Sequence, residues 1–260
     1  MALWALVTGA SEGLGREFAI LAAKSGFDVI LTARQAAKLE DLAGILRRAY
    51  HVAVVVIPAD LTDPEAVEQL WLDASAGRQI AVLVNNAGLG HNGTFADEAG
   101  WGREAASISV NVVAATILMK RAVAHMVAAG SGRVLNVVST AAFMPGPYMA
   151  VYHATKAYFL SLSDAVAEEL RGTGVTVTAL CPGATQTNFF AAGAMEGAFF
   201  LTKLPMPTAD SVAQAGWNAM ESGRRVKVTG VMNVIFANLP RLMPRRIISF
   251  FTAVFMKRRG

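Results

Sequence analysis

At 260 residues the chain suits one α/β domain, although two small ones would also fit the length, and it is long enough to bury a full core. Apolar residues make up 54% and charged residues 16%, which excludes a disordered chain and points to a sheet buried on both faces. The net charge of +4 belongs to the tail: residues 241–260 hold six bases and no acid, leaving 17 bases against 19 acids elsewhere, so the body is not a nucleic-acid-binding surface.

In chain order, short β-branched runs alternate with helical patterns. Strands are expected at 3–8, 27–32, 52–58, 80–85, 133–138, 174–181 and 226–229. Helices are expected at 14–25, 35–49, 63–76, 101–129, 152–171 and 208–222. This alternation implies right-handed βαβ crossovers and a parallel sheet covered on both faces. No repeat, linker or low-complexity segment interrupts it. Residues 188–207 fit neither pattern and are rich in Phe, Gly, Ala and Met.

The first strand runs into Thr8-Gly9-Ala10-Ser11-Glu12-Gly13-Leu14-Gly15, which opens the first helix. Glycines there let backbone N–H groups approach a diphosphate at the positive end of a helix. The spacing is one residue longer in its first gap than the usual dinucleotide fingerprint, and a tight connection is the plainer alternative. Further on, Ser139 ends a strand-like run, and Tyr152 and Lys156 share one face of a helix, four residues apart. A free phenol is a poor acid near pH 7, and a neighbouring ammonium favours its ionised form. Singly, each residue has a bland reading: Ser139 ends a strand, Asn111 bonds inside a long helix, Asn85 and Asn86 turn, and Asp60 caps. Cys181 excludes an intramolecular disulfide and reads as packing; His153 lies off the Tyr–Lys line.

Together these pieces are specific. TGASEGLG (8–15), Asp60-Leu61, Asn85-Asn86-Ala87-Gly88, Asn111, Ser139, Y-H-A-T-K (152–156) and Pro182-Gly183-Ala184-Thr185-Gln186-Thr187 resemble, in order and spacing, the short-chain dehydrogenase/reductase family across about residues 3–190. The resemblance implies a single Rossmann-type doubly wound domain with a seven-stranded parallel sheet of order 3-2-1-4-5-6-7. It implies hydride transfer between a nicotinamide and a carbonyl or alcohol, without a metal. Tyr152 would be the general acid in reduction, and Ser139 would hydrogen-bond the carbonyl oxygen. Lys156 would lower the Tyr152 pKa and bind the nicotinamide ribose. Asn111 would hold a water linking Lys156 to solvent. Cofactor contacts would come from Gly9, Ser11, Gly13, Leu14 and Gly15, from Asp60 and Leu61, from Asn86, Ala87 and Gly88, from Tyr152 and Lys156, and from Pro182, Gly183 and Thr187.

An NAD site usually ends its second strand in an acid that holds the ribose 2′-OH. Here Ala33 and Arg34 stand in that place, which suits a 2′-phosphate and hence NADP(H). Lys38 is a second cation within reach, whereas Ser11 and Glu12 occupy turn positions where some NADP-preferring relatives carry a base. Phe143, Tyr148, Phe189 and Phe190, in apolar segments with glycine hinges, are expected to wall a pocket for a small hydrophobic carbonyl or alcohol, with 188–207 as its lid. The equal alternative is that these rings pack against another subunit.

The reading is therefore an NADPH-dependent carbonyl reductase. A 3-oxoacyl thioester reductase shares the whole catalytic set, and a non-catalytic nucleotide-sensing module would be expected to lack the tyrosine or lysine. A homodimer or homotetramer is expected by resemblance, through the long helices and small residues such as Ala114, Ala115, Ala157 and Ala165. No signal-like pattern precedes the first strand and no apolar run reaches spanning length, so a cytoplasmic protein is expected. Residues 239–260 form a basic, apolar extension. It is read as packing on protein, with membrane-surface contact as the lesser alternative.

Overall fold

The computed structural model describes residues 2–189 and 206–256. Its strands are β1 (Leu3–Thr8), β2 (Asp28–Thr32), β3 (Val54–Val56), β4 (Gln79–Asn85), β5 (Gly132–Val137), β6 (Val175–Cys181) and β7 (Val226–Val228). They form one parallel sheet in the order β3-β2-β1-β4-β5-β6-β7, as the resemblance implied. The chain leaves β3 at one edge and returns to β4 on the other side of β1. That reversal opens a crevice at the C-terminal ends of the strands.

The helices are α1 (Gly13–Lys24), α2 (Ala36–Tyr50), α3 (Pro64–Ser75), α4 (Trp101–Ile108), α5 (Ala115–Ala128), α6 (Ala150–Glu169), α7 (Ala209–Glu221), α8 (Val231–Asn238) and α9 (Arg245–Met256). Side chains alternate across the sheet, so neighbouring strand residues feed opposite cores. Leu6, Ile30 and Leu83 pack with Leu70 of α3, Leu118 of α5 and Phe159 of α6. Ala5, Val7, Leu31 and Val84 pack with Phe18 of α1, Leu46 of α2 and Trp217 of α7. Every one of these side chains is essentially buried, which accounts for the near-continuous apolar strands.

Two elements depart from expectation. The helix expected over 101–129 is interrupted by a wider π-helical turn at Ser109–Ala114, which separates α4 from α5 and carries Asn111. The tail holds α9 over the apolar stretch that the sequence allowed as a packed or interfacial helix, and before it α8, which the sequence pattern did not mark. Ala114 and Ala115, expected at a subunit contact, are buried inside the chain instead, while Ala157 and Ala165 are exposed on α6. Phe190 and most of the segment 188–207 expected as a lid, residues 190–205, lie outside the described residues.

A buried polar rung locks β4, β5, α5 and α6 together. Asn85 Nδ2 donates to Asn136 Oδ1 and to the Ala115 carbonyl, both at 3.2 Å, and Asn136 Nδ2 donates to Ser163 Oγ at 2.8 Å. Such groups are tolerated in a core only when they satisfy each other. Asn85 is thus a structural residue beneath the site.

Candidate active site

The glycine turn follows β1 directly. Gly9 has φ +65°, which favours glycine, and a Cβ on Gly15 would lie 2.1 Å from the Gly9 carbonyl oxygen. The turn is stapled to the loop after β4. Thr8 Oγ1 accepts from the N–H of Asn86 and of Ala87, both at 2.9 Å, and Asn86 Nδ2 donates to the carbonyls of Thr8 and Gly9. The Asn86 amide therefore shapes the turn. Glu12 precedes α1, yet its side chain makes no cap hydrogen bond, and the first turn of α1 carries no acid. The helix N-terminus keeps its N–H groups for an anion.

A cleft of about 390 Å³ runs from this turn along the strand ends. Gly9, Ser11, Gly13 and Leu14 line one side; Arg34, Asp60 and Leu61 line the far end. Asn86, Ala87 and Gly88 form the floor, and Pro182, Gly183 and Thr187 close the side after β6. Gly15 stands behind this wall, beneath Gly9. Arg34 is exposed and close enough to Asp60 to help hold its carboxyl below the usual range, after the N–H and hydroxyl of Thr62, which bond to it directly. Lys38 is engaged by Glu12 at 3.2 Å.

Ser139, Tyr152 and Lys156 converge at the other end of the cleft. Ser139 caps the short turn Thr140–Phe143, its Oγ accepting from the Ala141 N–H at 3.1 Å. Its own O–H is left to donate toward the cleft. Lys156 Nζ donates to the Val137 carbonyl at 2.9 Å and lies 5.8 Å from the centroid of the Tyr152 ring. Burial pushes Tyr152 up to about 12, with the Ser139 hydroxyl pulling the other way. Burial lowers Lys156 to about 8. The buried thiol of Cys181 is pushed up to about 12, so near neutral pH it presents no charge to Lys156. The expected depression of Tyr152 by Lys156 is not among the causes of its shift, which is dominated by loss of solvent around the phenol.

Asn111 does not line the cleft. Its Oδ1 accepts from the Leu89 N–H at 2.8 Å, and its Nδ2 donates to the Leu89 carbonyl at 2.8 Å and to Thr155 Oγ1 at 3.0 Å. It clamps the loop after β4 to α6. With Lys156 Nζ it flanks Gly88, each atom 3.4 Å from where a Cβ would lie.

Among the expected substrate residues, Phe189 lines the cleft, its ring centroid 5.6 Å from that of Tyr152. Phe143 does not; it packs onto the core beneath the sheet, because the turn after Ser139 swings it inward. Tyr148 adopts φ +65° and offers its carbonyl to the Gly93 N–H, away from the cleft wall. Met144, Met149 and Met256 supply the apolar wall instead. Methionines give little positional signal in a sequence, and Met256 reaches the cleft only because α9 folds back on it. His153 also lines the cleft: Nδ1–H donates to the Met144 carbonyl at 2.8 Å, and burial lowers its pKa.

A model of the short chain dehydrogenase family matches residues 3–195. The chain belongs to the short-chain dehydrogenase family. This short-chain dehydrogenase is 36% identical over 179 residues to a very-long-chain 3-oxoacyl-CoA reductase of Laccaria bicolor, covering 67% of this chain and 52% of that one. It is 34% identical over 184 residues to a 7beta-hydroxysteroid dehydrogenase of Collinsella aerofaciens, covering 71% and 69%. It superposes on a short-chain dehydrogenase from Sphingobium yanoikuyae in complex with NADPH with a TM-score of 0.82 at 29% identity, covering 94% and 95%. The chain spans about half the length of the very-long-chain reductases it matches.

Proposed function

We propose that the protein is an NADPH-dependent reductase of a hydrophobic carbonyl compound. One observation carries this reading: Ser139, Tyr152 and Lys156 meet at one end of a cleft whose other end holds Arg34 and no acid at the close of β2. The glycine turn leaves backbone room for a diphosphate, and Arg34 suits a 2′-phosphate. The NADPH bound by the Sphingobium yanoikuyae relative supports the same choice.

NADPH, when bound, supplies the hydride. Tyr152, neutral because it is buried, donates its proton to the substrate oxygen. The Ser139 O–H, its acceptor side held by Ala141, orients and stabilises that oxygen. The phenolate left on Tyr152 is stabilised by the Lys156 ammonium beside its ring. The wall of Met144, Met149, Met256 and Phe189 excludes water and favours an apolar substrate. The same wall would accept the chain of a 3-oxoacyl thioester, as the names of the very-long-chain relatives suggest. We also propose a cytoplasmic location and a homodimer or homotetramer, with exposed Ala157 and Ala165 on α6 available for close helix approach.

Titration of NADPH and NADH against wild type and Arg34→Ala tests the cofactor, followed by a screen of apolar ketones. We expect NADPH to bind about tenfold tighter and Arg34→Ala to remove most of that gap. Equal or tighter NADH binding overturns the cofactor assignment. Failure of every apolar ketone to turn over overturns the substrate class.

A further inference from the structure

We infer that the outer face of α8 and α9 docks on an anionic lipid bilayer. The inward stripe of α9 is well defined. Ile248 and Thr252 are 6% exposed, Thr252 Oγ1 donates to the Pro145 carbonyl at 2.9 Å, and Met256 reaches the cleft wall. That face accounts for how α9 is held on the domain.

The opposite face should then be polar, as on a helix at a water surface. It is not. Ile247, Phe250, Phe251 and Val254 point outward, with Phe250 66% and Phe251 52% exposed. On α8, Ala237 turns inward while Val231, Met232 and Ile235 are each at least half exposed. Ala237 and Ile248 line the same hollow beside residues 142–150, so both helices border it with their inward residues and leave apolar side chains on their outer faces. Several large apolar side chains left exposed on two successive helices of a folded domain mark a binding face.

Charge identifies the occupant. From residue 222 to the end the chain contains no acid, and Arg245 and Arg246 are exposed in the first turn of α9. Cations at a helix N-terminus oppose its dipole, so they do not serve the stability of α9. Lys257, Arg258 and Arg259 follow its last turn in sequence. An apolar face with exposed cations in its first turn, in a stretch of chain without acids, complements a bilayer interface with acidic headgroups. A second copy of the chain is disfavoured, because a two-fold contact through this patch would set the cations against their own images. The contact is peripheral. The one helical stretch long and apolar enough to cross a membrane among the described residues, Glu98–Ala128, contributes Val110, Leu118 and Met126 to the core.

The test uses the full chain, since removing α9 would strip Ile248 and Met256 from the domain. Co-sedimentation is measured with phosphatidylcholine vesicles and with phosphatidylcholine–phosphatidylserine vesicles. We expect binding to the mixed vesicles, at least about tenfold weaker binding to phosphatidylcholine alone, and release by salt. Phe250→Ser with Phe251→Ser, and separately Val231→Ser with Ile235→Ser, should each lower partitioning by about tenfold without moving the melting temperature. Arg245→Gln with Arg246→Gln should lower it only on the mixed vesicles. No co-sedimentation of the wild type, or equal partitioning of wild type and both serine pairs, overturns the proposal. Self-association that the serine pairs abolish, without lipid binding, assigns the face to a second copy and also overturns it. The assay reads lipid binding and not turnover, so it stands or falls apart from the reductase reading.

Discussion

Lys38 Nζ lies 3.2 Å from Glu12 Oε2, so the cation that follows Arg34 in the chain is paired with the only carboxylate of the glycine turn. Asn188 Nδ2 donates to the same Glu12 oxygen at 3.1 Å and, ahead of Lys38, holds the carboxyl below its usual range. A 2′-phosphate arriving at Arg34 would meet a lysine already engaged and a like charge beside it. Glu12→Gln should therefore raise NADPH affinity while leaving NADH affinity unchanged. The pair is about half exposed, so the gain is expected at roughly 1 kcal/mol or less, at most about fivefold. Fluorescence titration with both cofactors checks this; equal changes for the two would show that Glu12 does not act on the phosphate end.

Tyr152→Phe removes the proton donor without opening the cleft. The turnover rate should fall by roughly a hundredfold to ten-thousandfold, with NADPH affinity nearly unchanged. A single-turnover assay separates the two. Retention of most of the wild-type rate would move the acid role to another group.

Lys156 gives a pH signature in stability. Its ordinary value of 10.5 falls to about 8 in the fold. Between those values the unfolded chain still holds a proton that the folded chain has released, so the Lys156 contribution to stability rises with pH. Tyr152 and Cys181, both raised to about 12, work the other way above about pH 9 to 10, because there the folded chain keeps protons that the unfolded chain has lost. The comparison must be between wild type and Lys156→Met. The wild type should gain on the variant by up to about 3 kcal/mol from pH 8 to 10.5. Urea midpoints across that range measure it, and a flat difference would contradict the burial of the charged lysine.

Asn111→Ala removes the three side-chain hydrogen bonds that join Leu89 to α6. The Leu89 N–H and carbonyl lose their partners, and the expected loss of stability is roughly 2–4 kcal/mol. Hydrogen exchange at the Leu89 amide should accelerate along with the fall in denaturation midpoint. Unchanged exchange there would show that the clamp is not what orders the loop.

What the sequence determined on its own is the skeleton of the site. Strand ends, glycine turn, Ser139, Tyr152 and Lys156 were legible because each is local: β-branched runs mark the strands, and a four-residue spacing places two side chains on one helical face. Parallel topology then brings every strand end to one edge, so residues far apart in sequence share a cleft. What lies between the elements was decided by tertiary contacts. Whether Phe143 faces cleft or core depends on how the turn after Ser139 leaves β5, and Tyr148 is turned aside by a backbone with φ +65°. Glu12 and Lys38 are 26 positions apart and meet only once α1 and α2 are docked on the sheet. Met256 walls the cleft because α9 folds back over Pro145, and the same docking turns Phe250 and Phe251 outward. An apolar helix in a sequence says that one face will be buried; only the packed structure says which, and leaves the other to find its own partner.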